Sequence, residues 1–231
     1  MSGSGVLLVL LLISSIPAIA VLIWFRLARY QFSPTIFSVS LLTGAASFFP
    51  ALLFQNMLAA GNGIFRATGK WGLFAEIFVR IALTEELSRL LVLAILFFFI
   101  FRLKSAVTAE QIENKTMAGA AGLIAGLGFA ILESAVYGAS NPANALLRSF
   151  TAAPLHGACG FRVGSSIGMF RESPALAIFR FLSAVVIHGI YNFMLLIPGI
   201  LPPVAAILIA LSAFASAVVT IRGRMRGEDI A

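Results

Sequence analysis

Charge is scarce in this 231-residue sequence: 11% of residues are Asp, Glu, Lys or Arg, where about 25% is usual for a soluble domain. Apolar residues make up 60% against about 45–50%, and the mean hydropathy is +1.02. A water-soluble globule cannot bury that much apolar surface, so that class is excluded. Disorder is excluded with it, because it needs few apolar and many charged residues. Cysteine occurs once, as Cys159, so no intrachain disulfide can form. No basic stretch precedes the first apolar run, and that run is too long for an ordinary signal peptide; it reads as a retained first helix. Internal repeats, low-complexity tracts, Gly-rich phosphate loops and nucleic-acid motifs are all missing. The net charge of +7 therefore reads as basic loops beside a bilayer, not as a nucleic-acid surface.

What is present is a series of long apolar runs. A spanning helix takes about 20 apolar residues, and runs at 5–25, 36–60, 81–101, 117–137, 148–170, 174–197 and 200–221 meet that length. The expected fold is an all-α polytopic transmembrane bundle of about seven spans in a cell membrane, one integral domain over 1–231 with its site-bearing helices at about 72–197. GNG at 61–63, SNPAN at 140–144 and PGILPP at 198–203 supply turn chemistry between runs. The third helix has a reason to start early, near Trp71: Glu76 and Arg80 are spaced i,i+4 and can pair. With the N-terminus outside, the inner side receives Arg26, Arg29, Arg102, Lys104, Lys115, Arg171, Arg180, Arg222, Arg224 and Arg226. The outer side receives Arg66, Lys70, Arg80 and Arg148. Basic residues favour the cytoplasmic face, so the expected orientation is N-out, C-in.

Several groups do not belong in lipid. Glu85, Glu86, Arg89, Glu133, His156, Arg162 and His188 fall inside spans, at about 2.5–3.5 kcal/mol for a charged residue at a helix centre. Such groups usually face the bundle interior and mark a functional site. For Arg162 alone, helix packing is the preferred reading. Arg89 lies i,i+4 from Glu85 and i,i+3 from Glu86, so it can hold one carboxylate. Adjacent glutamates point about 100° apart, which leaves the other free to face a cavity. His188 and Asn192 share a face, as do Phe129 and Glu133. Glycines at 122 and 126, and at 160, 164 and 168 following His156, allow close backbone approach. Counted from the outer ends of the expected spans, Glu85 and Glu133 lie about 6 Å deep and His156 and His188 about 12 Å deep. Four helices thus deliver polar groups to one layer in the outer half.

Two histidines and glutamates are the parts of a zinc site with an open position for water. A metal-free version is equally drawable, with a glutamate activating water while His188 and Asn192 donate to the oxyanion. H-E-x-x-H is absent, so either site must be assembled across helices. Cys159 points to a different helix face from His156 and is a poor nucleophile candidate.

E-E-x-x-R at Glu85, Glu86 and Arg89, F-x-x-x-E at Phe129 and Glu133, H-x-x-x-G at His156 and Gly160, and H-x-x-x-N at His188 and Asn192 together resemble the ordered motifs of the PrsW family. These are intramembrane metalloproteases distantly similar to the CAAX prenyl endopeptidases. The resemblance spans 85–192. It implies catalytic roles for Glu85, Glu86, Arg89 and Asn192, and metal ligation, with Zn2+ the expected ion, by Glu133, His156 and His188. It also implies a membrane-anchored protein as substrate, similar to an anti-sigma factor and cut near the external face. Two positions depart from the family pattern: Arg89 stands where lysine is usual and Asn192 where aspartate is usual. H-x-x-x-N is instead similar to the CAAX endopeptidases, whose pair forms an oxyanion hole, which keeps the metal-free version open beside the metal one. Two other classes share the composition, a non-catalytic membrane scaffold on the same fold and a proton- or ion-coupled transporter, although no paired repeat of interrupted helices supports transport.

Overall fold

The computed structural model describes residues 3–30, 32–61, 69–103 and 115–225. The described residues form helices with no strand, as the lack of water in a bilayer core requires, since a helix satisfies its own backbone groups. Helix α1 is Gly3–Leu27 and α2 is Pro34–Gly61. Helix α3 is continuous but changes pitch: Lys70–Phe74, a π-helical stretch Ala75–Leu83, then Thr84–Leu103. Helices α4 (Lys115–Gly138), α5 (Pro142–Met169), α6 (Pro174–Leu195) and α7 (Leu201–Met225) follow.

Five of these, α1, α2, α4, α6 and α7, are long and apolar enough to cross a membrane on length and composition. The other two, α3 and α5, carry most of the ionisable groups. α5 survives in the bundle because its neighbours shelter it: it packs against α1, α3, α4, α6 and α7 and buries Ala152, Leu155, His156, Cys159 and Gly164 among others. The α4–α5 contact is the tightest. A Cβ on Gly122 would overlap the carbonyl oxygen of Gly160, and one on Gly160 would overlap that of Gly122, so the small-residue register is used for backbone contact.

Two expected spans begin earlier than their apolar runs. α3 starts at Lys70, not at 81, because Glu76 and Arg80 form an ion pair along the helix that neutralises both charges. α5 starts at Pro142, not at 148, because the Asn141 side chain accepts from Ala143 N at 3.0 Å and proline suits the first helical position. Arg148 is thus inside a helix, paired with Glu133. α1 closes through Arg29 in the left-handed region, φ 54°, beside ring contacts among Trp24, Phe25, Tyr30 and Phe32. Aromatic and basic residues together suit a bilayer interface. Arg66, Lys104 and Arg226 lie outside the described residues, as do the side chains of Lys70, Arg102, Lys115 and Arg224.

Candidate active site

Glu85 and Glu86 sit just after the π-helical stretch, in the first turn where α3 returns to α-helical pitch. Thr84 Oγ1 donates to the carbonyls of Arg80 at 2.6 Å and Ile81 at 3.0 Å across that junction. Extra-wide turns of this kind are frequent at functional sites. Phe78 from the same stretch lies where a Cβ of Gly189 would be, so α6 comes close to α3 one residue after His188. On the other side, Gly126 lets α4 touch the carbonyl of His156. Both histidines are therefore brought in beside a glycine contact.

The two glutamates are not equivalent. Glu86 is fully buried and ion-paired with the equally buried Arg89, and its other oxygen lies 2.8 Å from His188 Nδ1. Both of its oxygens are engaged. Glu85 Oε1 accepts from Gln55 Nε2 of α2 at 3.0 Å, while its Oε2 is buried without a hydrogen-bond partner. That free oxygen stands 3.6 Å from His188 Nε2. With Glu86 ionised against Arg89, His188 donates from Nδ1 and a neutral ring keeps its lone pair on Nε2. Two electron-rich atoms then face each other across the gap, an arrangement that calls for a cation, a proton or a water between them.

His156 stacks edge-on to His188, ring centroids 5.0 Å apart, and tilts against Phe129 at 5.1 Å. Its Nε2 is 2.7 Å from Glu133 Oε2, which also accepts from Arg148 at 2.5 Å. Its Nδ1 is 3.4 Å from Arg89, and the Arg89 guanidinium lies 4.8 Å over the Phe129 ring. One polar network so runs from α2 through α3, α6, α5 and α4. It gathers Glu85, Glu86, Arg89, Glu133, His156 and His188, six of the seven expected site residues. Asn192, the seventh, is one turn beyond His188, half-buried, with no hydrogen bond to a described residue. Arg162 stays outside, donating to the Ala158 carbonyl of its own helix at 3.1 Å, and Cys159 Sγ contacts the Ala184 carbonyl at 3.5 Å.

Among the described residues, Glu85, His156 and His188 bring one ligand-type atom each to within 4.8 Å of one another, all buried. Tetrahedral zinc holds such atoms about 3.3–3.6 Å apart at bond lengths of about 2.0–2.2 Å, so the group needs to close by about 1 Å. The Glu86 contact to His188 Nδ1 is the outer carboxylate that metal-bound histidines commonly carry. These three could hold a metal ion. Glu133, expected from the sequence as a ligand, has its Oε2 between His156 Nε2 and Arg148.

Gln55 and Arg148 are the participants that the sequence did not single out. Gln55, with Asn56 beside it, is part of a pair of amides toward the end of an apolar run and gave that signal alone. Arg148 sat at the edge of its run and read as a loop charge.

A helical bundle that encloses such a network between apolar helices is a multi-pass membrane protein with a polar centre inside its bundle. Residues 33–220 match the family described as PrsW family intramembrane metalloprotease, and the chain belongs to that family. No curated protein and no solved structure matches it. Family membership makes the chain an intramembrane protease, and its substrate is met at the membrane.

Proposed function

We propose that the protein hydrolyses a peptide bond of a membrane-anchored protein, with Glu85 acting on the attacking water. The observation that carries this is the unpartnered, buried Glu85 Oε2 facing His188 Nε2 at 3.6 Å. A water seated between them would give its proton to Glu85 as it adds to the scissile carbonyl, and Glu85 would return that proton to the leaving amine. Gln55 holds the other oxygen of Glu85 and so fixes its rotamer. Glu86, held by Arg89, orients His188 through Nδ1. Glu133 orients His156. Asn192, one turn from His188 with its amide uncommitted, is a donor for the developing oxyanion. Zinc held by Glu85, His156 and His188 would be the alternative arrangement: Glu85 Oε2 would then be a ligand and not the base, and the metal would supply Lewis acidity to the water. A scaffold role accounts for the Glu86–Arg89 and Glu133–Arg148 pairs as helix fasteners, but it leaves the free carboxylate oxygen of Glu85 without a reason.

Glu133 and His188 lie near the ends of α4 and α6 that carry the 139–141 and 196–200 connections, whereas Glu85 and His156 lie near the middle of α3 and α5. With the N-terminus outside, those connections are external, and cleavage is expected at the external surface of the membrane. The basic residues support this orientation: Arg80 and Arg148, two of the four assigned to the outer side, are paired with acids inside helices. Purified wild type and Glu85→Gln in liposomes, with tethered candidate substrates, test the reading.

A further inference from the structure

A cavity of about 280 Å³ opens between α5, α6 and α7, lined by Arg148 and Thr151 of α5, Tyr191 and Leu195 of α6, and Pro203 and Ile207 of α7. It adjoins the site along two walls. On α6, His188, Tyr191 and Leu195 are spaced i, i+3 and i+7 and share one face, so the cavity wall continues to His188 over about 10 Å. On α5, Arg148 lines the cavity and donates to Glu133, which in turn meets His156. The Arg148 guanidinium is clamped 4.2 Å over the Tyr137 ring, so this inner wall is held in place. Leu195, on the cavity lining, is 40% exposed, so the cavity opens to the outside of the bundle.

Size and chemistry select the occupant. A space of 280 Å³ is about 8 Å across if compact, less than the roughly 10–12 Å of a helix with side chains. A single large side chain suits it better than a helical segment. Leu195, Pro203 and Ile207 suit an apolar group, while Tyr191, Thr151 and Arg148 leave donors near its backbone. We propose that this cavity is the subsite that takes one large apolar side chain, close to the scissile bond, of a substrate strand arriving extended from the lipid. The proposal rests on the protease reading and deepens it.

The test uses full-length protein in liposomes and a tethered reporter whose residues flanking the scissile bond are varied among Gly, Leu and Phe. Ile207→Trp fills the cavity; Leu208→Trp, on the outward face of the same helix at 59% exposure, is the control. At one flanking position wild type should prefer Leu or Phe to Gly. Ile207→Trp should lower kcat/KM for the Leu and Phe reporters at least 10-fold and leave the Gly reporter within about 3-fold, and Leu208→Trp should match wild type. Equal loss on all reporters, or no change on any, overturns the subsite while leaving the protease reading intact. A wild type that cuts no reporter overturns the protease reading and the subsite with it. Should Ile207→Trp fail to accumulate, Leu195→Cys in a Cys159→Ala background serves instead. A bulky thiol reagent should then block the Leu and Phe reporters selectively, and uniform or absent inhibition overturns the proposal.

Discussion

At the residue scale, the site works by giving two neighbouring glutamates opposite surroundings. Glu86 and Arg89 are both fully buried, and removing one member of such a pair leaves the other charge stranded, at about 3–5 kcal/mol. Arg89→Met should therefore lower the thermal unfolding temperature in detergent markedly, and Glu86→Gln in the Arg89→Met background should recover much of the loss. A single variant as stable as wild type would mean that the pair is not formed. Gln55→Leu takes away the hydrogen bond that holds the buried Glu85 carboxylate, so it should lower stability by about 1.5–3 kcal/mol, less than breaking the Glu86–Arg89 pair. It should lower kcat about 10-fold by freeing the Glu85 rotamer, the lower end of what positioning contributes, and steady-state kinetics on the tethered reporter would show it. For the metal, His156→Ala and His188→Ala should each abolish stoichiometric zinc in elemental analysis of purified protein. Wild type that is active with no stoichiometric metal would leave the water to Glu85 alone.

At the element scale, the sequence told most about helices whose apolar runs end in turn residues. The bounds of α6 and α7 follow such signals closely. It told least where charge is neutralised within a helix. Glu76 with Arg80, and Arg148, look like loop markers to a hydropathy reading, yet pairing, of Arg80 with Glu76 and of Arg148 with Glu133, lets each helix continue. Only the first pair was visible as an i,i+4 spacing; the second joins different helices and has no local signature. The π-helical stretch at Ala75–Leu83 was likewise invisible, because its register depends on packing against α6 at Gly189. Site membership was readable from the cost of burying charge, whereas the split between Glu85 and Glu86 was not, since it depends on Gln55 and His188 from distant helices. The glycine register was readable and has a direct consequence. Gly160→Leu should prevent α4 and α5 from docking, because its Cβ meets backbone at Gly122, and the protein should fail to accumulate in membranes. Gly157→Ala faces the Phe214 ring, which can yield, and should accumulate near the wild-type level by immunoblot.

At the scale of the whole molecule, the question is which face of the membrane the polar network serves. The 139–141 and 170–173 connections flank α5 at its two ends and so report opposite faces. Single cysteines at Ser140 and Ser173 in a Cys159→Ala background read the orientation with a membrane-impermeant thiol reagent on intact cells. Position 140 should label and position 173 should not. The opposite pattern would put the site, and the cleavage, on the cytoplasmic side.

The central claim is that a buried carboxylate with one free oxygen drives peptide hydrolysis inside this bundle. Its most direct measurement is the cleavage rate of a tethered substrate by wild type and by Glu85→Gln, reconstituted at equal protein in liposomes. Gln keeps the shape and the Gln55 contact but cannot take a proton from water, so the rate should fall at least ~100-fold, the scale of a lost general base. The folded fraction and the unfolding temperature should stay near wild type, since no ion pair is broken. Cleavage by Glu85→Gln at the wild-type rate would contradict the account.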